Sequence, residues 1–344
     1  MNLRRPTLAG ALFCVLVVLS ATVSAIQVPG PLVDTEWLHN HLGQVLVLDV
    51  RQDKESFSKK GKDKKTGVVN PCGVAPRKDS GWVAGHIPGA VLVPWKKVTT
   101  KRRIEGKKIK ALVPDKKRFE KLMRKFGVNN DSALVITGKG KGVIYTALAT
   151  RLYWTLKYFG FDNVALLDGG TAQWIKDERK IEFGKSRRVK KGDFEAATER
   201  KEILASTEDV MALAEGRATD QLVDVRSTEE YLGLTAAKKV APGVKGHVRG
   251  AKSLPVTLLA NSHGTATLYE KDKIQEVATL FKVDTEQPTV FMCTSGVFAS
   301  LGWFVMHELL GNPDVRLYDG SMHEWSHLGK PVVQSLPARE ARGG

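Results

Sequence analysis

Short runs of β-branched and aliphatic residues alternate along the chain with longer stretches whose apolar residues recur three and four positions apart. Val45 to Val50, Ala133 to Thr137 and Val164 to Leu167 are apolar runs of strand length, which predicts strands buried on both faces. Thr146 to Phe159 and Phe298 to Leu310 have helical length and spacing. Lys116 to Lys125 sets Phe119, Leu122, Met123 and Phe126 on one side of a helix with a charged outer face. Strands alternating with helices predict α/β units built around mainly parallel sheets.

The pattern occurs twice. Leu46-Val47-Leu48-Asp49-Val50-Arg51 answers to Leu222-Val223-Asp224-Val225-Arg226, and Gly85-His86-Ile87-Pro88-Gly89-Ala90 answers to Gly246-His247-Val248-Arg249-Gly250-Ala251. Asp168-Gly169-Gly170 with Trp174 answers to Asp319-Gly320-Ser321 with Trp325. Three landmarks in one order mark a tandem duplication. The offset between halves falls from 175 to 161 to 151, so the first half carries about 14 extra residues before its His86 and about 10 after it. His86 and His247 are kept in both halves, which predicts a role in the turn rather than in chemistry. Residues 30–185 and 206–337 are the expected domains. The polar, basic stretch from Gly184 to Gly192 lacks apolar periodicity, and 186–205 is the expected linker.

At 344 residues, 42% apolar and 26% charged, the composition excludes a disordered, collagenous or disulfide-stapled chain. Arg4 and Arg5 precede an apolar run from Leu8 to Leu19 and then Val23-Ser24-Ala25, with no acidic residue before Asp34. That order predicts a signal peptide over residues 1–25 and a secretory-pathway or extracellular protein. The competing readings are an organelle transit peptide, with the mitochondrion as one destination, and an uncleaved anchor. The apolar run is too short to span a bilayer. The net charge of +16 is concentrated: Lys54 to Lys125 holds 22 basic and 6 acidic residues. A surface of that sign attracts anions, so this region is a candidate site for a polyanion. Few aromatics interleave with the basic residues to stack bases, which argues against specific nucleic-acid binding.

Chemistry concentrates in Pro288-Thr289-Val290-Phe291-Met292-Cys293-Thr294-Ser295-Gly296-Val297-Phe298-Ala299. This predicts a cysteine at the carboxyl end of a buried strand, in a Gly-containing loop just before a helix, where ligands of open α/β sheets bind. Loop amides and the helix N-terminus favour an anionic sulfur, the nucleophilic form. Cys72 sits in the extra basic loop without a strand before it or a helix after it, and reads as a surface or disulfide cysteine. The first half has Thr137-Gly138-Lys139-Gly140-Lys141-Gly142-Val143 in place of the cysteine loop. A phosphatase using such a cradle needs Arg six positions past the cysteine, and here that residue is Ala299.

The tandem halves, the paired Gly-His-x-x-Gly-Ala segments, the Cys293 loop and Asp319-Gly320-Ser321-Met322-His323-Glu324-Trp325 together resemble the two-domain rhodanese family, which includes thiosulfate and 3-mercaptopyruvate sulfurtransferases. The resemblance covers about residues 30 to 337. It implies two tandem rhodanese-like domains, the first inactive and the second catalytic. Cys293 would attack a small-molecule sulfur donor, hold the sulfur as a persulfide, and pass it to a thiol or cyanide acceptor. Thr294, Ser295, Gly296, Val297 and Phe298 would form the cradle, with no metal and no organic cofactor. Arg226, Lys238, Lys239 and Arg249 are candidate anion contacts, Arg226 being matched by Arg51 in the half without the cysteine. The sequence Cys-Thr-Ser-Gly-Val-Phe keeps the Ser of the mercaptopyruvate branch and lacks the basic residues of the thiosulfate branch, which favours 3-mercaptopyruvate as donor. Two positions depart from the family pattern: Phe298 replaces the usual Thr, and Glu230 stands near the place of a substrate-binding Arg. They motivate the competing reading, a secreted rhodanese-like binding protein with a weak or inactive site and a polyanion-binding basic region.

Overall fold

The computed structural model describes residues 26–59, 83–261 and 264–335. The leader at 1–25 and Cys72 lie outside them. The first half forms β1 (Leu32–Val33), β2 (Leu46–Arg51), β3 (Val91–Pro94), β4 (Thr100–Ile104), β5 (Lys107–Leu112), β6 (Leu134–Thr137) and β7 (Val164–Leu167). The second forms β8 (Leu204–Ala205), β9 (Gln221–Asp224), β10 (Lys252–Ser253), β11 (Thr289–Met292) and β12 (Val315–Tyr318). Two five-stranded parallel sheets result, in the orders β1-β7-β6-β2-β3 and β8-β12-β11-β9-β10. The duplication is therefore topological as well as textual. The central strands are buried along their whole length, as near-continuous apolar runs covered by helices on both faces must be.

The repeated landmarks have a structural explanation. Arg51 is fully buried and donates to both carboxylate oxygens of Asp49 at 2.8 Å and to the carbonyls of Val83 and Gly85. Arg226 does the same with Asp224 and the Gly246 carbonyl. Each Asp-x-Arg pair thus pins the Gly-His turn to its central strand. In each turn the histidine donates from Nδ1 to a carbonyl, His86 to Phe57 and His247 to Tyr231, and stacks on the ring of that same residue. Both form antiparallel backbone bridges, to Glu182 and Val333.

Two differences from expectation stand out. The later insertion in the first half is an antiparallel hairpin, β4–β5, followed by the helix Lys116–Lys125. The expected linker 186–205 is packed, and its last two residues belong to the second sheet: Phe194 is buried against Phe119 and Phe161, and Leu204–Ala205 is an edge strand. One hydrophobic cluster runs through both halves and joins the helix Val143–Tyr158 to the helix Val297–Trp303. Among the described residues, no helix is long and apolar enough to cross a membrane.

Candidate active site

Register places the two loops in exact correspondence. Asp49 pairs with Thr137 and Asp224 with Met292, so Gly138 and Cys293 occupy the same position, one residue past the strand end. The loops are clasped alike: Thr171 and Ala172 donate to the Gly138 and Lys139 carbonyls, and Met322 and His323 to those of Cys293 and Thr294.

Cys293 is 1% exposed. The Ser295 N–H points at its Sγ at 3.4 Å. The Cys293 and Gly296 amides are directed elsewhere, each donating at 3.1 Å to Ser321 Oγ, which itself donates to the Tyr318 carbonyl at 2.8 Å. Of these three loop amides, that of Ser295 faces the sulfur, while those of Cys293 and Gly296 are held by Ser321, which fixes the loop's shape. Gly296 has φ +72° and is the N-cap of the following helix. A Cβ there would meet the Asp319 carbonyl at 2.6 Å and Arg151 at 2.7 Å, so both its conformation and its surroundings require glycine. Val297 opens the helix and is buried, and Phe298 is half-buried against the core.

Among the candidate anion contacts, Lys239 reaches the loop: its ammonium donates to Ser295 Oγ at 2.9 Å. Burial pulls the Lys239 pKa below the ordinary lysine value, the Cys293 sulfur opposes that, and Lys110 and Arg151 add to it. Arg226 is within electrostatic reach of Cys293, but its guanidinium is taken up by Asp224 and Gly246 as part of the repeated scaffold. Lys238, Lys239 and Arg249 all keep an exposed flank, and of the three Lys239 is the one hydrogen-bonded to the loop. Glu230 is half-buried; burial raises its carboxyl pKa while Arg226 draws it down.

The first half supplies residues that the motif alone does not reveal. Arg151, in the middle of the helix Val143–Tyr158, is fully buried, ion-paired with Asp319 and bonded to the Gly296 carbonyl at 3.1 Å and the Ala111 carbonyl at 3.3 Å. Asp319 also accepts from the Val113 N–H at 2.7 Å. The β4–β5 hairpin thereby closes over the end of the second sheet. The converse contact exists too, with Leu268 of the second half donating to Asp168 at 2.9 Å. The available signal for Arg151 was a cation in the middle of an apolar helical run; for Asp319 it was the repeated Asp-Gly landmark. His323 is buried with neither ring nitrogen hydrogen-bonded, and burial, then His327, Lys239 and Lys110, lower its pKa to about 4. At neutral pH it is an uncharged ring beside the lysines.

In the first-half loop, a Cβ on Gly138 would lie 2.7 Å from the Tyr145 carbonyl. Lys139 is buried in an ion pair with Asp53 at 2.6 Å, and Gly170 stands where the second half has Ser321. That loop is closed on itself.

The rhodanese-like domain family model matches residues 34–177 and 206–328. A protein of Mycolicibacterium smegmatis named for thiosulfate sulfurtransferase activity is 33% identical over 261 residues, covering 74% of this chain and 87% of its own. The sulfur carrier protein TtuD of Thermus thermophilus is 28% identical over 89% of this chain and 97% of its own. The crystal structure of SseA from Escherichia coli, described among 3-mercaptopyruvate sulfotransferases, superposes with a TM-score of 0.65 at 25% identity, covering 85% of this chain and 98% of that one. With two matched regions that coincide with the two sheets and with the halves of the repeat, the chain belongs to the rhodanese-like family and carries two such domains in tandem.

Proposed function

We propose that this protein is a sulfurtransferase that carries sulfur on Cys293. The observation that carries the reading is the Cys293 loop itself: a lone cysteine at a strand end with the Ser295 amide on its sulfur and the Lys239 ammonium on the Ser295 hydroxyl. The Cys293 thiolate attacks the transferable sulfur of the donor and forms an S–S bond. With 3-mercaptopyruvate the donor's C–S bond breaks and the leaving carbon takes a proton to give pyruvate; with thiosulfate the S–S bond breaks and sulfite leaves. An acceptor thiolate or cyanide then attacks the outer sulfur and releases the Cys293 thiolate. The Ser295 amide stabilises negative charge on sulfur at both stages, and Lys239 attracts an anionic donor. Because Cys293 is 1% exposed, the donor enters by displacing the Lys239 ammonium from Ser295.

The donor we favour is 3-mercaptopyruvate, because one lysine beside a serine suits a single carboxylate on a thiol carbon. The relatives named above point to both donor classes, so each is tested. Purified protein is assayed with 3-mercaptopyruvate and with thiosulfate, and the mass of donor-treated protein is recorded beside Cys293→Ser. Turnover and a mass gain of one sulfur atom, both lost in the variant, are expected. Folded, reduced protein that shows neither with either donor would overturn the reading in favour of a binding protein. The secretory location also remains part of this proposal. It rests on the order of residues at 1–25, and is tested by finding whether the native protein begins after Ala25 and leaves the cell.

A further inference from the structure

A cavity lies in the first half and shares none of the residues described at the cysteine loop. It has a volume of about 690 Å³ and opens at β3, an edge strand of the first sheet. Its apolar lining comes from Phe57, Leu92, Pro94, Leu122 and Phe126, of which Phe57 and Phe126 are core residues. Six cations line the same cavity: Lys54, Lys97, Arg118, Lys121, Lys125 and Lys185. Among the described residues no acidic side chain lines it and none of the six is ion-paired. Arg118 is held in place by the Thr99 carbonyl at 3.2 Å, and all six are exposed.

Surface lysines ordinarily intersperse with acids, because like charges repel. A helix face with Lys121 and Lys125 four residues apart is mildly destabilised by that repulsion, and Lys97 and Lys185 from other elements add to it. The repulsion is relieved by an anion. A flat basic patch would suit an extended polyanion, but this cavity is concave with an aromatic and aliphatic floor, and its size falls within the range of about 300–1,000 Å³ typical of small-molecule sites. We infer that the cavity binds a soluble amphiphilic organic anion: a phosphate, sulfate or carboxylate head held by the lysine rim and an apolar body seated on Leu92, Leu122 and Phe126.

Calorimetric titration of the protein with octyl phosphate, inorganic phosphate and octanol tests this directly. The expected result is saturable one-to-one binding of octyl phosphate that weakens with added salt, with the other two at least about tenfold weaker, because head and body are both needed. A Lys97→Glu/Lys121→Glu variant is expected to lose at least about tenfold in octyl phosphate affinity with its thermal midpoint and sulfur-transfer rate unchanged, since neither lysine belongs to the cysteine site. Lys125→Gln gives a milder variant, expected to show a smaller loss in the same direction. Inorganic phosphate binding as tightly as octyl phosphate, or unaltered octyl phosphate binding in the folded double variant, would overturn the inference. Heparin, or vesicles containing phosphatidylserine, binding through the same lysines more tightly than octyl phosphate would also overturn it and assign the surface to a polyanion or a membrane.

Discussion

Two charged residues at the cysteine loop have opposite roles, set by their surroundings. Arg151 is buried and paired, so removing it leaves Asp319 an uncompensated buried charge, an effect worth about 3–5 kcal/mol. Arg151→Ala is expected to lower the thermal midpoint markedly, and Asp319→Asn added to it is expected to cost much less than the sum of the two single changes, because the partners share one interaction. Additive losses in a calorimetric double-mutant cycle would contradict that. Lys239 is held by a single hydroxyl, that of Ser295, whose amide faces the Cys293 sulfur. Lys239→Met is expected to leave the thermal midpoint in place and reduce kcat/KM for an anionic donor by about tenfold to a hundredfold, the range for losing a charged hydrogen bond. The sequence named Lys239 as one of four candidate cations, but only contact with Ser295 separates it from Arg226, whose guanidinium is committed to Asp224.

Each repeated element provides a control for its counterpart. The loop after β6 and the loop after β11 start from the same register and are clasped by the same backbone bonds, yet only the second leaves room for a side chain at its first position. Gly138→Cys is therefore expected not to create a second sulfur carrier. The added Cβ meets the Tyr145 carbonyl, Gly170 cannot replace the Ser321 hydroxyl, and the Lys139–Asp53 pair already fills the loop. Mass spectrometry of donor-treated Cys293→Ser/Gly138→Cys protein should show no gain of sulfur. The strands were legible because buried parallel strands leave continuous apolar runs: Val164–Leu167 has the bounds the pattern predicts, and Leu134–Thr137 differs by one residue. The helix Val143–Tyr158 begins three residues before the predicted start. The β4–β5 hairpin was not legible, because six of the eleven residues in its strands are exposed lysines and arginines without clear alternation, and it is held by backbone pairing and by packing against the other half.

Across the whole molecule, the halves cover each other's sheet ends through Asp319 with Val113 and Asp168 with Leu268. The two contacts differ electrically. Counting from Val143 and Val297, which open corresponding helices, the position of Arg151 is Val305 in the second half, so Asp168 has no matching guanidinium. Burial pushes the Asp168 carboxyl up to about 6, with Glu270 and Asp34 adding to the rise and the Leu268 and Gly169 amides opposing it. Folding thus favours the protonated acid. That contribution is complete below the ordinary value of 3.8 and is lost as pH rises through 6. Asp168→Asn keeps the acceptor for Leu268 and removes the charge, so it is expected to raise stability at pH 8, by at most about 3 kcal/mol, and to leave it unchanged near pH 4. Thermal midpoints measured across that range would show it, and an equal effect at both ends would contradict it. The sequence alone determined the fold class, the duplication and the position of Cys293, because apolar period, repeated landmarks and strand-loop-helix order are local properties of a chain. Which amide faces the sulfur, which cation reaches it, and how Arg151 from one half supports a loop in the other were decided only by tertiary structure. The Lys239–Ser295 contact spans 56 positions and the Arg151–Gly296 contact 145, and even the direction of the Ser295 amide depends on a loop clasped by residues beyond the next strand; no local pattern specifies which of these groups meet.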